Sequence, residues 1–267
     1  MLKVIPRLCL LMLVLVVCSG LAWAEKHPPV MDIVAKANHM AYYQGQDGKA
    51  QVQMAITDQQ GRERNKEFTI LRKDLSDKDT EQNFYVYFHR PADERGTVFM
   101  VWKHIGSDDD RWLYLPALDV TKRIAASDER TSFVGSDFYY EDVSGRGIQE
   151  DTHELSKVTD TYYVVTSRPK NPDLVEFDHY VTYVHKDSFI PVRTQYFRQD
   201  GSTYREMTVM QVQDIQGFTT ITQQRMEDLE SGSKTVITYE SVEYNLDLPK
   251  EIFTERYLRR APRRYLR

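Results

Sequence analysis

The sequence predicts a mainly β (α+β) protein built on one curved antiparallel sheet or barrel, and three observations support this. Short runs that alternate apolar and polar residues recur along the chain, as half-buried strands do. Glycine-containing turns rather than long helices separate them, which favours hairpins over a parallel sheet. Helical periodicity is confined to one segment near the N-terminus. Because no repeat or long linker divides the chain, we expect a single domain.

The first 24 residues have the layout of a secretory signal peptide. Lys3 and Arg7 give a basic start, an apolar run covers residues 8–17, and an Ala-Trp-Ala site ends at Ala24. Cleavage after Ala24 would leave 243 of the 267 residues. We therefore expect an exported protein, most simply a periplasmic one.

Both cysteines, Cys9 and Cys18, lie in this removed segment. The mature chain is therefore expected to contain no disulfide, thiol nucleophile or zinc–thiolate site. The alternative is a lipoprotein, in which Cys18 would be acylated and kept. Val17 is bulky where such sites prefer a small residue, which disfavours anchoring at Cys18.

The charge of the chain bears on its partners. The sequence has 35 basic and 40 acidic residues, and removal of Lys3 and Arg7 with the signal peptide shifts the net charge from −5 to −7. Proteins that bind nucleic acids depend on basic surfaces that neutralise phosphates. We therefore expect no nucleic-acid partner.

The helical pattern covers Val30 to Tyr43, where apolar residues recur every three or four positions. Pro28 and Pro29 precede it, as prolines often do where a helix begins, and Gly45 follows it. The sequence therefore predicts one amphipathic helix before the first strand.

Strand-like runs follow this helix. The first two, at Val52 to Ile56 and Phe68 to Ile70, flank a turn at Gln60-Gly61. Further runs lie at 83–90, 97–105, 111–115, 161–167, 177–185, 192–198, 204–212, 218–226 and 235–244. Segment 127–147 breaks the alternation and predicts a long loop with one or two helical turns, and another short turn is expected near 249–253.

The central strands are apolar on both faces: Phe84 and Val86 lie on one face of their strand, and Tyr85 and Tyr87 lie on the other. Two apolar faces need two covers. The N-terminal helix can supply one, and the sheet can curl around an interior on the other side. The 17 tyrosines against 11 phenylalanines suit an apolar cavity that water reaches, although composition alone favours an ordinary aromatic core.

Several segments resemble the LolA-like outer-membrane lipoprotein-sorting proteins. They are Arg90 to Thr97, Trp112-Leu113-Tyr114-Leu115-Pro116, Lys122-Arg123-Ile124, Phe133 to Asp142 and Phe253 to Leu258. The resemblance extends from about Val30 to Leu258. Their order and spacing make the resemblance more specific than any one segment.

The resemblance implies an incomplete β-barrel with an N-terminal helix and short lid helices over an apolar cavity, in a single half-barrel domain at residues 25–258. It also implies a periplasmic carrier or chaperone that binds acyl chains of lipoproteins or lipids, for outer-membrane lipoprotein sorting or lipid transport. An inner-membrane transporter and an outer-membrane acceptor are the implied protein partners. The functional arginine of LolA has no assigned equivalent, so neither Arg72 nor Arg90 is carried over.

The alternative is an accessory or regulatory periplasmic module of an inner-membrane RND/MMPL-type transporter, without cargo of its own. We expect no cofactor under either hypothesis, and we expect a monomer. A third hypothesis is a hydrolase assembled from scattered polar residues.

Candidate ligand-binding residues lie on the central strands. They are Phe68, Ile70, Phe99, Val101, Trp112 and Tyr114. Strand parity separates the two faces of the sheet but does not tell which face is inside.

The candidate lid consists of Phe133, Gly135, Phe138 and Tyr140. The aromatic side chains would line or plug the mouth of the cavity, and Gly135 gives the backbone freedom to move. The alternative is a structural plug that never moves.

Residues 259–267 form a basic C-terminal tail, rich in arginine. This tail either docks on lipid headgroups or an acidic partner, or remains a solvated disordered segment.

No catalytic or metal-binding residues are predicted. His179 and His185 share a strand face, but six residues of strand put them about 20 Å apart. The acidic run 108–110 lacks the spaced ligands and the glycine of a calcium loop. The sequence also has no Gly-x-Ser-x-Gly, phosphate-loop or dinucleotide-binding motif.

Overall fold

The structure is a computed structural model that describes residues 27–76 and 78–266. The predicted signal peptide and both cysteines lie outside the described residues.

Thirteen antiparallel strands form one sheet. They are β1 (Asp47–Thr57), β2 (Glu63–Asp74), β3 (Glu81–Arg90), β4 (Val98–His104), β5 (Asp110–Leu115), β6 (Val120–Ile124), β7 (Asp151–Val158), β8 (Tyr162–Pro169), β9 (His179–His185), β10 (Pro191–Phe197), β11 (Thr203–Ile215), β12 (Phe218–Asp228) and β13 (Lys234–Tyr244). Their spatial order is β6-β5-β4-β3-β2-β1-β13-β12-β11-β10-β9-β8-β7. Two meanders are therefore joined where β1 pairs with β13, and the sheet does not close into a barrel. The predicted fold class is confirmed.

The two strands that the sequence did not reveal, β6 and β7, are the two edges of the sheet. An edge strand pairs on one side only, so it needs little apolar surface. In β7, most residues between Asp151 and Val158 are exposed or half-buried, and β6 buries only Ile124. Neither strand therefore carries the alternation that marked the interior strands.

Helices are few and short. The predicted N-terminal helix forms as α1 (Val30–Asn38), which continues as a π-helical turn at His39–Tyr43. The others are α2 (Tyr140–Ser144) and α3 (Arg256–Arg259). Within the described part of the chain, none of the helices has the length and apolar character needed to cross a membrane.

The N-terminal helix covers a different part of the sheet from the one expected. Ile33 and Ala37 pack against Val165 of β8 and Val184 of β9, and not against the central strands. The central strands receive their two covers from elsewhere. We call the face that carries Val52, Phe68 and the other even-numbered residues of β1 to β3 the inner face, and the opposite one the outer face.

The inner face of the central strands is covered by the segment that links edge strand β6 to edge strand β7. Phe133, Phe138 and Tyr140 of this segment are buried in one cluster with Phe68, Phe88, Phe99 and other inner-face residues. The ring centroid of Phe133 lies 5.3 Å from that of Phe99 and 6.1 Å from that of Phe88. We call residues 126–150 the plug segment.

The outer face is covered by the C-terminal segment, residues 246–266. Leu248, Ile252, Phe253, Leu258 and Leu266 are buried against the outer-face residues Leu71, Tyr85, Met100 and Trp112. Hydrogen bonds fix the cover in place, since the Tyr85 hydroxyl donates to the Tyr257 carbonyl at 2.8 Å and the Trp102 indole N–H donates to the Phe253 carbonyl at 2.6 Å.

Of the two alternatives for the basic tail at 259–267, a solvated disordered segment does not fit the residues that the structure describes. Pro262 and Leu266 are buried, and the Thr69 hydroxyl donates to the Leu266 carbonyl at 3.2 Å. The arginines between them point outward and are exposed. The charges of the segment dominate its composition, while its few apolar residues carry the packing.

Candidate ligand-binding cavity

A cavity of about 300 Å³ lies between the N-terminal helix and the inner face of the sheet. It reaches the lower end of the size range of small-molecule pockets. Its roof comes from α1 and the π-helical turn, its floor from β1 to β3 and β7 to β13, and one end from the plug segment. The cavity thus occupies the part of the inner face that the plug does not fill.

Packing explains why the space stays open there. On the central strands the bulky rings of Phe133 and Phe138 fill the inner face. Over β8 and β9 the cover includes α1, whose inward residues Ile33 and Ala37 are smaller than these rings. A sheet curved enough to hold the plug is therefore left with unfilled volume under the helix.

Much of the cavity wall is apolar. The apolar lining residues are Val34, Ala37, Met40, Ala41, Ala50, Ile70, Phe84, Phe138, Val143, Ile148, Val165, Val184, Pro191, Met207, Ile221, Met226 and Val242. Such a wall favours a ligand with a hydrocarbon part, because burial of apolar surface supplies the binding free energy.

Tyrosines form the second component of the wall, namely Tyr42, Tyr180, Tyr196, Tyr239 and Tyr244. Three of their hydroxyls have partners within the protein. Tyr180 donates to the Asp151 carboxylate at 2.7 Å, Tyr239 accepts from the Gln224 amide at 2.9 Å, and Tyr244 lies 2.9 Å from the Thr220 hydroxyl. The hydroxyls of Tyr42 and Tyr196 form no hydrogen bond with any described residue.

Every charged side chain that faces the cavity is paired. Lys49 lies 2.6 Å from Glu243, Arg72 donates to Asp74 at 2.8 Å, and Asp142 pairs with Arg205. Arg146 contacts three carboxylates, those of Glu141 at 2.9 Å, Glu150 at 2.9 Å and Asp151 at 3.0 Å. The remaining titratable group, apart from the tyrosines, is His153, which is hydrogen-bonded at both ring nitrogens to Ser167 and to the Ile148 carbonyl.

The plug segment is held to the sheet by polar contacts as well as by its aromatic rings. The Asp137 carboxylate accepts from the Thr235 hydroxyl at 2.6 Å, and the buried Arg205 pairs with Asp142 and also donates to the Asp137 carbonyl at 3.0 Å. Lys103 donates to the Ser144 carbonyl at 2.6 Å, and burial lowers its pKa to about 8. These attachments favour the interpretation of the segment as a structural plug.

An ionic network fixes the other end of the plug segment. Arg130 pairs with Glu141 and, at 2.7 Å, with Glu176, while Arg146 contacts Glu141 from the other side. Burial alone would raise the pKa of Glu141, but the charges of Arg130 and Arg146 outweigh it and hold that pKa below its usual value.

Three carboxylates of this region, those of Glu129, Glu141 and Glu150, lie within 4.8 Å of one another. Arginines already contact each of them, because Arg111 pairs with Glu129 at 2.6 Å and Arg146 contacts both others at 2.9 Å. The cluster is therefore a salt-bridge network with its negative charge balanced by the protein.

One glycine of the plug segment shapes the cavity directly. Gly145 has a φ of +78°, and a Cβ atom at this position would lie 2.6 Å from the ring of Tyr42. Only glycine combines this backbone conformation with so close an approach. Gly145 therefore lets the Tyr42 ring pack tightly against the end of α2.

The structure separates the six candidate ligand-binding residues into three groups. Ile70 lines the cavity. Phe68, Phe99 and Val101 lie on the inner face but are buried beneath the plug. Trp112 and Tyr114 lie on the outer face, under the C-terminal segment. Adjacent positions on a strand point to opposite faces, and the sequence did not show which face was inside.

The four candidate lid residues lie together in the plug segment. Phe138 lines the cavity, whereas Phe133 and Tyr140 are buried in the core beside it. Gly135 has a φ of +80° in the turn between them, and Arg64 donates to its carbonyl at 3.2 Å.

Most cavity residues were missed by sequence reasoning, because they come from α1 and the strands β8 to β13. The signal was present in the alternation of Val165 and Ser167 and of Tyr180, Thr182 and Val184, which all face the cavity. That mixed, partly polar face was not recognised as a lining.

Comparison with known proteins identifies the family of this chain and proteins of the same fold. A protein-family model described as "Uncharacterized protein" matches residues 80–260. The chain belongs to this family. A DUF1329 family protein from Desulfovibrio piger is 26% identical, with a TM-score of 0.78, over 87% of this chain and 100% of the other. No curated protein sequence matches the chain significantly.

Two further crystal structures connect this family's fold to LolA. A domain described as belonging to the outer membrane lipoprotein-sorting proteins, from Vibrio parahaemolyticus, is 21% identical, with a TM-score of 0.78, over 86% of this chain and 98% of its own. A LolA superfamily protein from Nitrosomonas europaea is 21% identical, with a TM-score of 0.66, over 86% of this chain and all of its own. The predicted resemblance to the LolA-like proteins is confirmed at the level of the fold.

Proposed function

We propose that this LolA-like protein is a periplasmic carrier or chaperone that binds acyl chains of lipoproteins or lipids in the cavity under α1. The observation that carries the proposal is the contrast within the inner face. One half is packed by the plug, whereas the other keeps a cavity of about 300 Å³ with a largely apolar wall. An apolar space retained in an otherwise well-packed core is suited to a ligand.

The energetics suit a carrier. Burial of one methylene group contributes about 0.8 kcal/mol, so an acyl chain of ~16 carbons gains on the order of 13 kcal/mol if it is wholly buried. Binding of this strength lifts a chain out of water without any covalent chemistry. Release then requires a partner or a change in the cavity, and we propose an inner-membrane transporter and an outer-membrane acceptor as those partners.

We propose binding rather than catalysis at this site. A general base or nucleophile needs a group that is free to act on the substrate. Here the charged groups that line the cavity are each committed to an ion pair, and His153 is hydrogen-bonded at both nitrogens.

The proposal is tested by a matched pair of substitutions on one strand. Met207 lines the cavity, whereas Met210 of the same strand is 48% exposed and lies outside it. In a titration with a fluorescent acyl probe, we expect Met207→Gln to weaken binding by about 10-fold, since it places an amide against the chain. Met210→Gln is the control and should bind as the wild type does.

An equal loss of probe affinity in both variants, or no probe binding by the wild-type protein, would contradict a ligand site in this cavity. The second result is also the one expected of a transporter accessory module without cargo.

A further inference from the structure

The cavity has a polar end with two hydroxyls that have no hydrogen-bond partner in the described part of the chain, which distinguishes it from a purely hydrocarbon-binding space. Tyr42 and Tyr196 both line the cavity and are half-buried. Both rings lie beside the plug segment: that of Tyr42 packs against Gly145, and that of Tyr196 lies against Arg205, the ion-pair partner of Asp142.

Both hydroxyls are held in position. The ring of Tyr42 packs against Gly145 and lies 5.9 Å from the Lys103 ammonium. The ring of Tyr196 lies 5.5 Å from that of Tyr180 and 5.2 Å from the Arg205 guanidinium. Each ring is thus fixed by its neighbours while its hydroxyl has no partner among the described residues.

The two groups stay protonated. Burial raises the pKa of Tyr42 and that of Tyr196 well above the usual value for a phenol, and the nearby Asp142 carboxylate adds to both increases. Each is therefore a neutral O–H group at any physiological pH, able to donate one hydrogen bond and to accept another.

The charged groups around them exclude a charged ligand head. Asp142 is paired with Arg205, and Arg146 is shared among three carboxylates, so neither offers an uncompensated charge. A carboxylate or ammonium group brought into this end of the cavity would lose its hydration without gaining a counter-ion.

We infer that the cavity selects lipids whose buried head is neutral and accepts hydrogen bonds, such as an acyl ester, with its carbonyl oxygen received by the hydroxyls of Tyr42 and Tyr196. This inference rests on the proposed function and specifies the chemical class of the lipid. The hydrocarbon part lies along the apolar wall, and the ester lies beside the plug segment.

The test is a competition assay on the mature protein. Hexadecane, methyl palmitate and sodium palmitate, each delivered from cyclodextrin at neutral pH, displace a bound fluorescent acyl probe. We expect methyl palmitate to compete better than hexadecane by about 2- to 10-fold for each hydrogen bond formed. Palmitate, which carries a charge, should be the weakest competitor.

Substitutions assign this preference to the two hydroxyls. Tyr42→Phe and Tyr196→Phe each remove one oxygen that has no partner among the described residues, so both variants should fold. Each should reduce the preference for the ester over hexadecane. Hexadecane itself should bind as in the wild type. Tyr163→Phe is the control, because Tyr163 is half-buried but lies outside the cavity.

The outcomes separate the two claims. If hexadecane and methyl palmitate compete equally in the wild type, or if the Phe variants keep the ester preference, the inference is overturned while the carrier function stands. If none of the three ligands displaces the probe, the proposed function itself fails.

Discussion

At the scale of single residues, the plug segment depends on buried charges whose compensation is close to complete. Arg130 is nearly inaccessible and binds Glu141 and Glu176, and the Tyr204 hydroxyl donates to Glu176 at 2.6 Å. A buried ion that loses its partner is strongly destabilising, so such networks tie the fold to the protonation of their acids.

Glu176 makes this dependence measurable. Burial would raise its pKa, but the hydrogen bonds and the charge of Arg130 outweigh it and lower the pKa to about 2, from 4.5. Because the folded-state pKa is below the unfolded-state value, the stabilisation is complete above pH 4.5 and is lost as the pH falls toward 2. We expect Glu176→Gln to lower the free energy of unfolding by about 2–3 kcal/mol at pH 6.

Urea unfolding at a series of pH values checks this prediction. The difference in the free energy of unfolding between the wild type and Glu176→Gln should decrease steadily as the pH falls below 4.5. Glu255→Gln, at an exposed position, is the control and should follow the wild type. A difference that stays constant down to pH 2.5 would show that Arg130 does not stabilise the Glu176 carboxylate.

At the scale of elements, two segments that contain only short helices and turns cover the two faces of the sheet. The plug segment covers the inner face of the central strands, and the C-terminal segment covers their outer face. Each supplies the apolar layer that a two-faced apolar sheet requires. The C-terminal segment therefore contributes buried residues to the hydrophobic core, as the strands do.

A matched pair of substitutions tests the role of the C-terminal segment. Leu258 is 3% exposed and belongs to the outer-face cluster, whereas Arg260, two residues later, is exposed and has no partner among the described residues. We expect Leu258→Ala to lower the free energy of unfolding by about 2–5 kcal/mol. Arg260→Ala should change it by less than about 0.5 kcal/mol. Similar small effects of both substitutions would mean that the segment is only loosely attached.

The elements were predictable from the sequence to different degrees. Interior strands such as β1 and β12 were found because a buried face imposes alternation. The edge strands β6 and β7 were missed because they are mostly exposed, and the C-terminal cover was missed because Leu258 and Leu266 are isolated among arginines. Burial by a distant segment leaves no periodic pattern in the chain.

At the scale of the whole molecule, one part of the inner face of the half-barrel is packed by the plug segment, and the other part lines the cavity. The sequence indicated the fold, the aromatic content and the importance of the plug segment. It did not indicate the position of the cavity, since that depends on how far Phe133 and Phe138 reach and on where α1 rests. Ile70 and Phe138 are the predicted residues that line the cavity, and the outer-face position of Trp112 could not be derived from parity alone.

The most direct test of the account is the lipid content of the purified mature protein, exported from a host that makes lipoproteins and phospholipids. Organic extraction followed by lipid mass spectrometry should recover about one acyl-bearing lipid per protein molecule, or the delipidated protein should take up an acyl probe in the same ratio. A protein that carries no lipid and takes up no acyl probe would contradict the claim that the space under α1 is a binding site.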